Sequence, residues 1–346
     1  MNYLVRNFPI GALLIFGCLV SASGQAQVTG EDILQGLEIS QGDVGKLESG
    51  GVIAYSDKIY ESTARELSAD AIVIVNNDLG AVHEALKGAT TLIPAKRMVD
   101  HGEILTAADF SGVKYESEDI DEVKRLFKAK PGKDFNFSAA EFATLQGLLK
   151  PHRNASTEKK LTVASDAIRE ILIGRYNQYR AGGLDGIKEY KRSSRKQIDV
   201  GQELLLTTET FRPFADEFPD FFHVMEKFPD GEDCCEHYFR WLKVEMRDRP
   251  TFALSHTIIQ ETDDFVLYTE RHYFVNNTLN SIQITMSWVP YGEDTYMGIA
   301  MSASADILDS FMGRALRSVG RNKAKDLVTD VMQEIRDDLN KDASEE

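Results

Sequence analysis

Five side chains have the types that proton transfer or ligand orientation would use: His256, Tyr268, Glu270, Arg271 and Tyr273. A histidine beside a carboxylate can move a proton near neutral pH, and a few polar groups in an apolar cavity orient a ligand. All five fall in two segments, 252–260 and 264–275, rich in β-branched and aromatic residues and therefore expected as strands. In the first, His256 shares a face with Phe252, Leu254 and Ile258, which points it inward, where a hydrogen-bonded core histidine is the competing role. In the second, Tyr268, Glu270, His272 and Phe274 share one face, and Leu267, Thr269, Arg271 and Tyr273 the other. Alternation alone does not say which face would meet a cavity, and ordinary cross-strand pairing is the alternative role for all of them.

The remaining chemistry is sparse. Cys234-Cys235-Glu236-His237 would need donors from elsewhere to complete a four-ligand zinc site, so no metal is expected. Adjacent cysteines close only a strained ring, which favours two free thiols over a vicinal or intermolecular disulfide. No metalloprotease helix motif, phosphate-cradling glycine loop or nucleophile elbow occurs, and no cofactor is expected.

The elements that must position these residues can be read from periodicity. Strands are expected at 52–55 and 68–75, followed by an Asn76-Asn77-Asp78 stop and a helix over 79–86. Helices follow from Ser117 to Leu126, from a Ser138/Glu141 capping box to Leu149, over 163–179 and over 202–210. The polar stretch 151–160 is a linker candidate, and the phenylalanine-dense segment 211–228 is either a core-covering helix with turns or an aromatic lid. Strands over 252–260, 264–275, 281–289 and 295–303 are joined by short turns, which predicts an antiparallel meander. In the third of these Ile282, Ile284, Met286 and Trp288 form a greasy face, and Ser281, Gln283, Thr285 and Ser287 a wet one. A long helix, about 304–339, carries an apolar stripe through Leu308, Phe311, Met312, Ala315, Leu316, Val319, Leu327, Val328, Val331, Ile335 and Leu339, and the greasy face is its natural partner.

The chain ends are different in character. Arg6 precedes an apolar run from Phe8 to Val20, and small or polar residues lead to Gly24-Gln25-Ala26. That order is the one of a secretory signal, cleaved near Ala26, and the run is shorter than the roughly 20 residues needed to span a bilayer. Lipoprotein processing at Cys18 is the less favoured alternative, since Phe16 fits that signal poorly. A periplasmic or secreted protein, not integral to the membrane after cleavage, is therefore expected. Of 39 basic and 55 acidic residues, removing 1–26 takes away only Arg6 and leaves a net charge of −17. Phosphate backbones repel such a chain, which argues against nucleic acid as a partner. The acidic tail 341–346 is expected to be disordered.

The segment Ala69-Asp-Ala-Ile-Val-Ile-Val-Asn-Asn-Asp-Leu-Gly-Ala-Val-His-Glu-Ala-Leu86 is similar to the strand, turn and helix that open the START-like (SRPBCC) helix-grip superfamily. Tyr238-Phe-Arg-Trp-Leu-Lys-Val-Glu245, Phe252-Ala-Leu-Ser-His-Thr257 and His272-Tyr-Phe274 resemble exported, uncharacterised bacterial proteins with such a C-terminal half. The resemblance implies an α+β fold in which an antiparallel sheet wraps on a long C-terminal helix. On that reading residues 27–340 form one domain with a helical insertion at about 100–235. It further implies a cavity between sheet and helix that holds a hydrophobic small molecule or lipid, to which the five polar residues would be the ligand-binding groups. An interaction module without a cavity, binding a basic envelope partner, and an enzyme using His256 and Glu270 are the alternatives.

Overall fold

The computed structural model describes residues 29–36, 39–56, 61–87, 91–193, 196–212, 215, 218–309 and 313–342. The expected signal segment and the end of the acidic tail lie outside the described residues. The elements in chain order begin with α1 (Gly30–Gly36), α2 (Gln41–Glu48), β1 (Ile53–Tyr55), β2 (Glu66–Val75), α3 (Leu79–Lys87) and β3 (Met98–Glu103). Then come α4 (Ile120–Lys128), α5 (Ala139–Leu149), α6 (Thr157–Gly182), the hairpin β4 (Tyr190–Ser193) and β5 (Lys196–Ile198), α7 (Val200–Glu209) and α8 (Pro219–Lys227). The last are β6 (Glu236–Glu245), β7 (Pro250–Glu261), β8 (Val266–Val275), β9 (Ser281–Tyr291), β10 (Asp294–Ser304) and α9 (Gly313–Asp342).

One eight-stranded antiparallel sheet, in the order β1-β2-β10-β9-β8-β7-β6-β3, organises the protein. The C-terminal meander forms its middle. The N-terminal strands straddle that meander, β1 and β2 at one edge and β3 at the other. The β2-to-β3 connection must therefore cross the sheet, whereas β3 and β6 are neighbours. The β2-to-β3 segment runs over the face on which α9 packs, where Val82 of α3 and Leu92 join the same apolar cluster as α9. The β3-to-β6 segment, with α4 to α8, covers the opposite face.

The sheet is thus buried on both sides. Met286 and Trp288 from the greasy face of β9 share an apolar cluster with Val328, Val331 and Met332 of α9, which packs mainly on β2. Burying side chains of this size contributes about 1.5–3 kcal/mol each. The polar face of β9 is not wet: Ser281, Gln283, Thr285 and Ser287 are buried. Polar groups on α7 meet that face. Thr208 hydrogen bonds Gln283 at 3.3 Å, and Glu203 accepts from the Ser304 hydroxyl at 2.7 Å. Alternation distinguishes apolar from polar faces, but it cannot distinguish solvent from a polar helix face, and here the cover is protein.

Other expectations shift in detail. Residue 304 ends β10, a 3-10 turn spans Asp306–Asp309, and α9 begins only at Gly313. The linker candidate 151–160 is a short turn running into α6, whose N-cap Ser156 accepts from the Lys159 amide. The Ser138/Glu141 capping box is formed on α5. Cys234 and Cys235 are joined by a disulfide, so the pair of free thiols gives way to the vicinal bond. No helix among the described residues is long and apolar enough to cross a membrane.

Candidate functional site

A cavity of about 580 Å³ lies between the sheet and α9. Its floor is apolar: Ile282 and Ile284 of β9 and Ile299 and Met301 of β10 face Leu327 and Val331 across it. A further wall is the β2-to-β3 connection through Leu92, Ile93 and Pro94, and the β6–β7 hairpin closes that side with Met246. Gly320 brings α9 close to β2 beside the cavity, because a Cβ there would stand 2.5 Å from the Leu67 Cδ1. The charged residues of the lining, Lys96, Arg97, Glu245, Arg247, Asp248 and Lys323, are all exposed, and they form the mouth.

None of the five polar residues singled out from the sequence lines this cavity. Glu270 and Tyr268 come nearest. Both lie on the α9 face of β8, and Glu270 is paired across the strands with Ile284, a floor residue. The Glu270 carboxylate is fully buried and accepts from the Thr91 hydroxyl (2.6 Å), the Leu92 amide (2.8 Å), His272 Nε2 (2.7 Å) and the Tyr268 hydroxyl (3.1 Å). Burial works to raise its pKa, but the bonds from His272, Thr91 and Leu92 outweigh burial and leave it below the usual carboxylate range. Glu270 therefore fastens the cavity wall to the sheet from behind.

His256, Arg271 and Tyr273 lie on the other face, under α4 to α8. His256 pairs with Arg271 and the adjacent Thr257 with Glu270, so His256 and Glu270 point to opposite sides of the sheet. Proton transfer between them is excluded by this geometry. A bulge at Tyr273, where Leu254 pairs with Phe274 and Ser255 with His272, brings both Tyr273 and Phe274 into the insertion-side core. Phe274 thus leaves the face that simple alternation assigns to it.

His256 belongs to a directed chain of hydrogen bonds. His237 Nε2 lies 2.9 Å from the Glu232 carbonyl, which only accepts, so Nε2 carries the hydrogen and Nδ1 of a neutral ring must accept. His256 Nε2 then donates to His237 Nδ1 at 2.8 Å, and Tyr179 donates its hydroxyl to His256 Nδ1 at 2.9 Å. Burial, reinforced by His237, Arg271 and Arg180, pushes the His256 pKa well below that of a free imidazole. Burial also lowers that of His237, against the pull of the Glu232 carbonyl. Tyr273 stacks on Tyr179 with centroids 3.9 Å apart. Arg271, fully buried, donates Nη2 to the Met225 carbonyl near the C-terminus of α8, where a cation opposes the helix dipole. These are the packing and polar ties of a core, and none of His256, Arg271 and Tyr273 lines the cavity beneath α9.

The residues that reasoning from sequence missed are the basic ones of the mouth. Lys96 and Arg97 sit in a stretch without periodicity, and Arg247 in a turn; only Lys323 shares a helix whose orientation the apolar stripe determines. Among the described residues no group of histidine, cysteine or acidic side chains could hold a metal ion. No family model, curated protein or solved structure matches the chain.

Proposed function

We propose that this chain is an exported binding protein of START-like, helix-grip type that holds a hydrophobic small molecule or lipid between its sheet and α9. The observation that carries the reading is the apolar cavity of about 580 Å³ in that position, within the 300–1,000 Å³ usual for small-molecule sites. Export is supported by the charged, apolar and small-residue order of residues 1–26. The ligand would then be one available outside the cytoplasm.

Native mass spectrometry of the protein isolated from its own host tests the reading. Adducts that organic solvent extracts as a lipid or other hydrophobic compound are expected, and Ala324→Phe, which fills the cavity, should remove them. A single unliganded mass for the wild type, together with no binding of added amphiphiles, overturns it.

A further inference from the structure

We infer that the ligand is an amphiphile with an anionic headgroup, held at the cavity mouth by Arg97, Arg247 and Lys323. This inference rests on the cavity-binding reading and specifies the polar end of the ligand. The chain as a whole has 39 basic residues to 55 acidic, whereas the mouth reverses that balance with Lys96, Arg97, Arg247 and Lys323 against Glu245 and Asp248. Lys96 is occupied by Asp330 at 2.7 Å. The other three cations form no ion pair among the described residues.

Their placement matters more than their number. The three come from three separate elements: the β2-to-β3 connection, the β6–β7 hairpin and α9. They stand around the mouth, whereas both carboxylates belong to the single hairpin. Arg247 and Asp248 occupy the hairpin tip with φ of 51° and 55°, the left-handed region where tight hairpin turns ordinarily place asparagine and glycine. A non-glycine residue there costs about 1 kcal/mol, so the arginine is held at the mouth against a backbone preference. The apolar floor begins next to these groups: Ala324 and Leu327 follow Lys323 on α9, and Met246 precedes Arg247. A molecule with its chain on the floor would leave its head among the three cations. Carboxylate, phosphate and sulfate heads share this chemistry.

Titration calorimetry of the purified protein with dodecanoate, dodecyl phosphate, dodecanol and dodecyltrimethylammonium, below their micelle concentrations, tests this. Both anionic compounds should bind about tenfold more tightly than dodecanol, the modest margin that exposed ion pairs allow. The ammonium compound should bind more weakly than the alcohol. The triple variant Arg97→Gln, Arg247→Gln, Lys323→Gln should lose the preference while keeping the dodecanol affinity, and because these residues are exposed it should fold. Equal binding of dodecanol and the anions by the wild type overturns the headgroup assignment and leaves the cavity reading intact. Failure of every amphiphile to bind overturns both. Inorganic phosphate that binds as tightly as dodecyl phosphate also overturns the proposal, since the site would then be one for free anions.

Discussion

The Glu270 carboxylate accepts the Leu92 backbone N–H at 2.8 Å, and through that bond the middle of the sheet holds the wall of the cavity in place. Thr91 adds a second tie to the same group. The relationship joins β8 to a segment nearly two hundred residues earlier in the chain, and it makes a carboxylate that never touches the cavity a determinant of the cavity's shape.

Glu270→Ala should strand four hydrogen-bond donors at a buried site and cost at least about 3 kcal/mol. Hydrogen exchange should quicken at the Leu92 and Ile93 amides before it changes around His256. Since the folded-state pKa of Glu270 lies below its unfolded value, its contribution is full above the usual carboxylate range and is lost as pH falls through the folded value. Urea midpoints that do not differ between wild type and variant at neutral pH would count against the latch.

The histidine chain gives a different window. His256 and His237 both have depressed pKa values, so below about pH 6.5 the unfolded chain takes up protons that the folded one refuses. Protonation of His237 would also turn its accepting Nδ1 into a donor facing the His256 N–H. Stability should fall as the protein is acidified from about pH 7 towards pH 5, and a His237→Gln, His256→Gln double variant should show a shallower fall. Tyr179→Phe removes the donor to His256 Nδ1 and should cost about 1–3 kcal/mol at neutral pH. Denaturant melts across the pH series measure both effects.

Asp70 should act in the opposite direction. It is fully buried in β2, burial alone pushes its pKa up to about 8, and its Oδ2 has no hydrogen-bond partner. The folded state therefore holds a proton that the unfolded chain releases near pH 4, and the protein loses stability as pH rises from there to about 8. Asp70→Leu, which has the same number of side-chain heavy atoms, should raise the melting temperature, with a gain larger at pH 8 than at pH 5. An unchanged or lowered melting temperature at pH 8 would show that the carboxyl has a stabilising role.

Export is tested directly. Protein recovered from the periplasm or medium of its own host should begin at Gln27 on N-terminal sequencing, and it should lack Cys18. A lipid-modified Cys18 in the membrane fraction would replace the cleavage near Ala26 with lipoprotein processing.

Local pattern determined a good deal. The meander, the greasy stripe of Ile282, Ile284, Met286 and Trp288, the α5 capping box and the α9 stripe from Leu327 to Leu339 are all properties of neighbours in sequence, and each is present in the fold, whereas Leu316 and Val319 of that stripe are exposed. Their pairing followed only in part, because α9 shares the cluster of the greasy stripe but packs mainly on β2. What alternation could not supply was the identity of each cover. Gln283 and Thr285 look like part of a solvent face until Thr208 of α7 and Thr269 of β8 supply the hydrogen bonds that let them be buried. His256 and Glu270 look like partners until the register of β7 on β8 puts them on opposite faces, and one bulged residue moves Phe274 across the sheet. The β3 edge, the wall at 91–94 and the ring of Arg97, Arg247 and Lys323 arise from contacts between residues far apart in the chain. Those contacts depend on which connection takes which face of the sheet, and only the packing of the whole chain decides that.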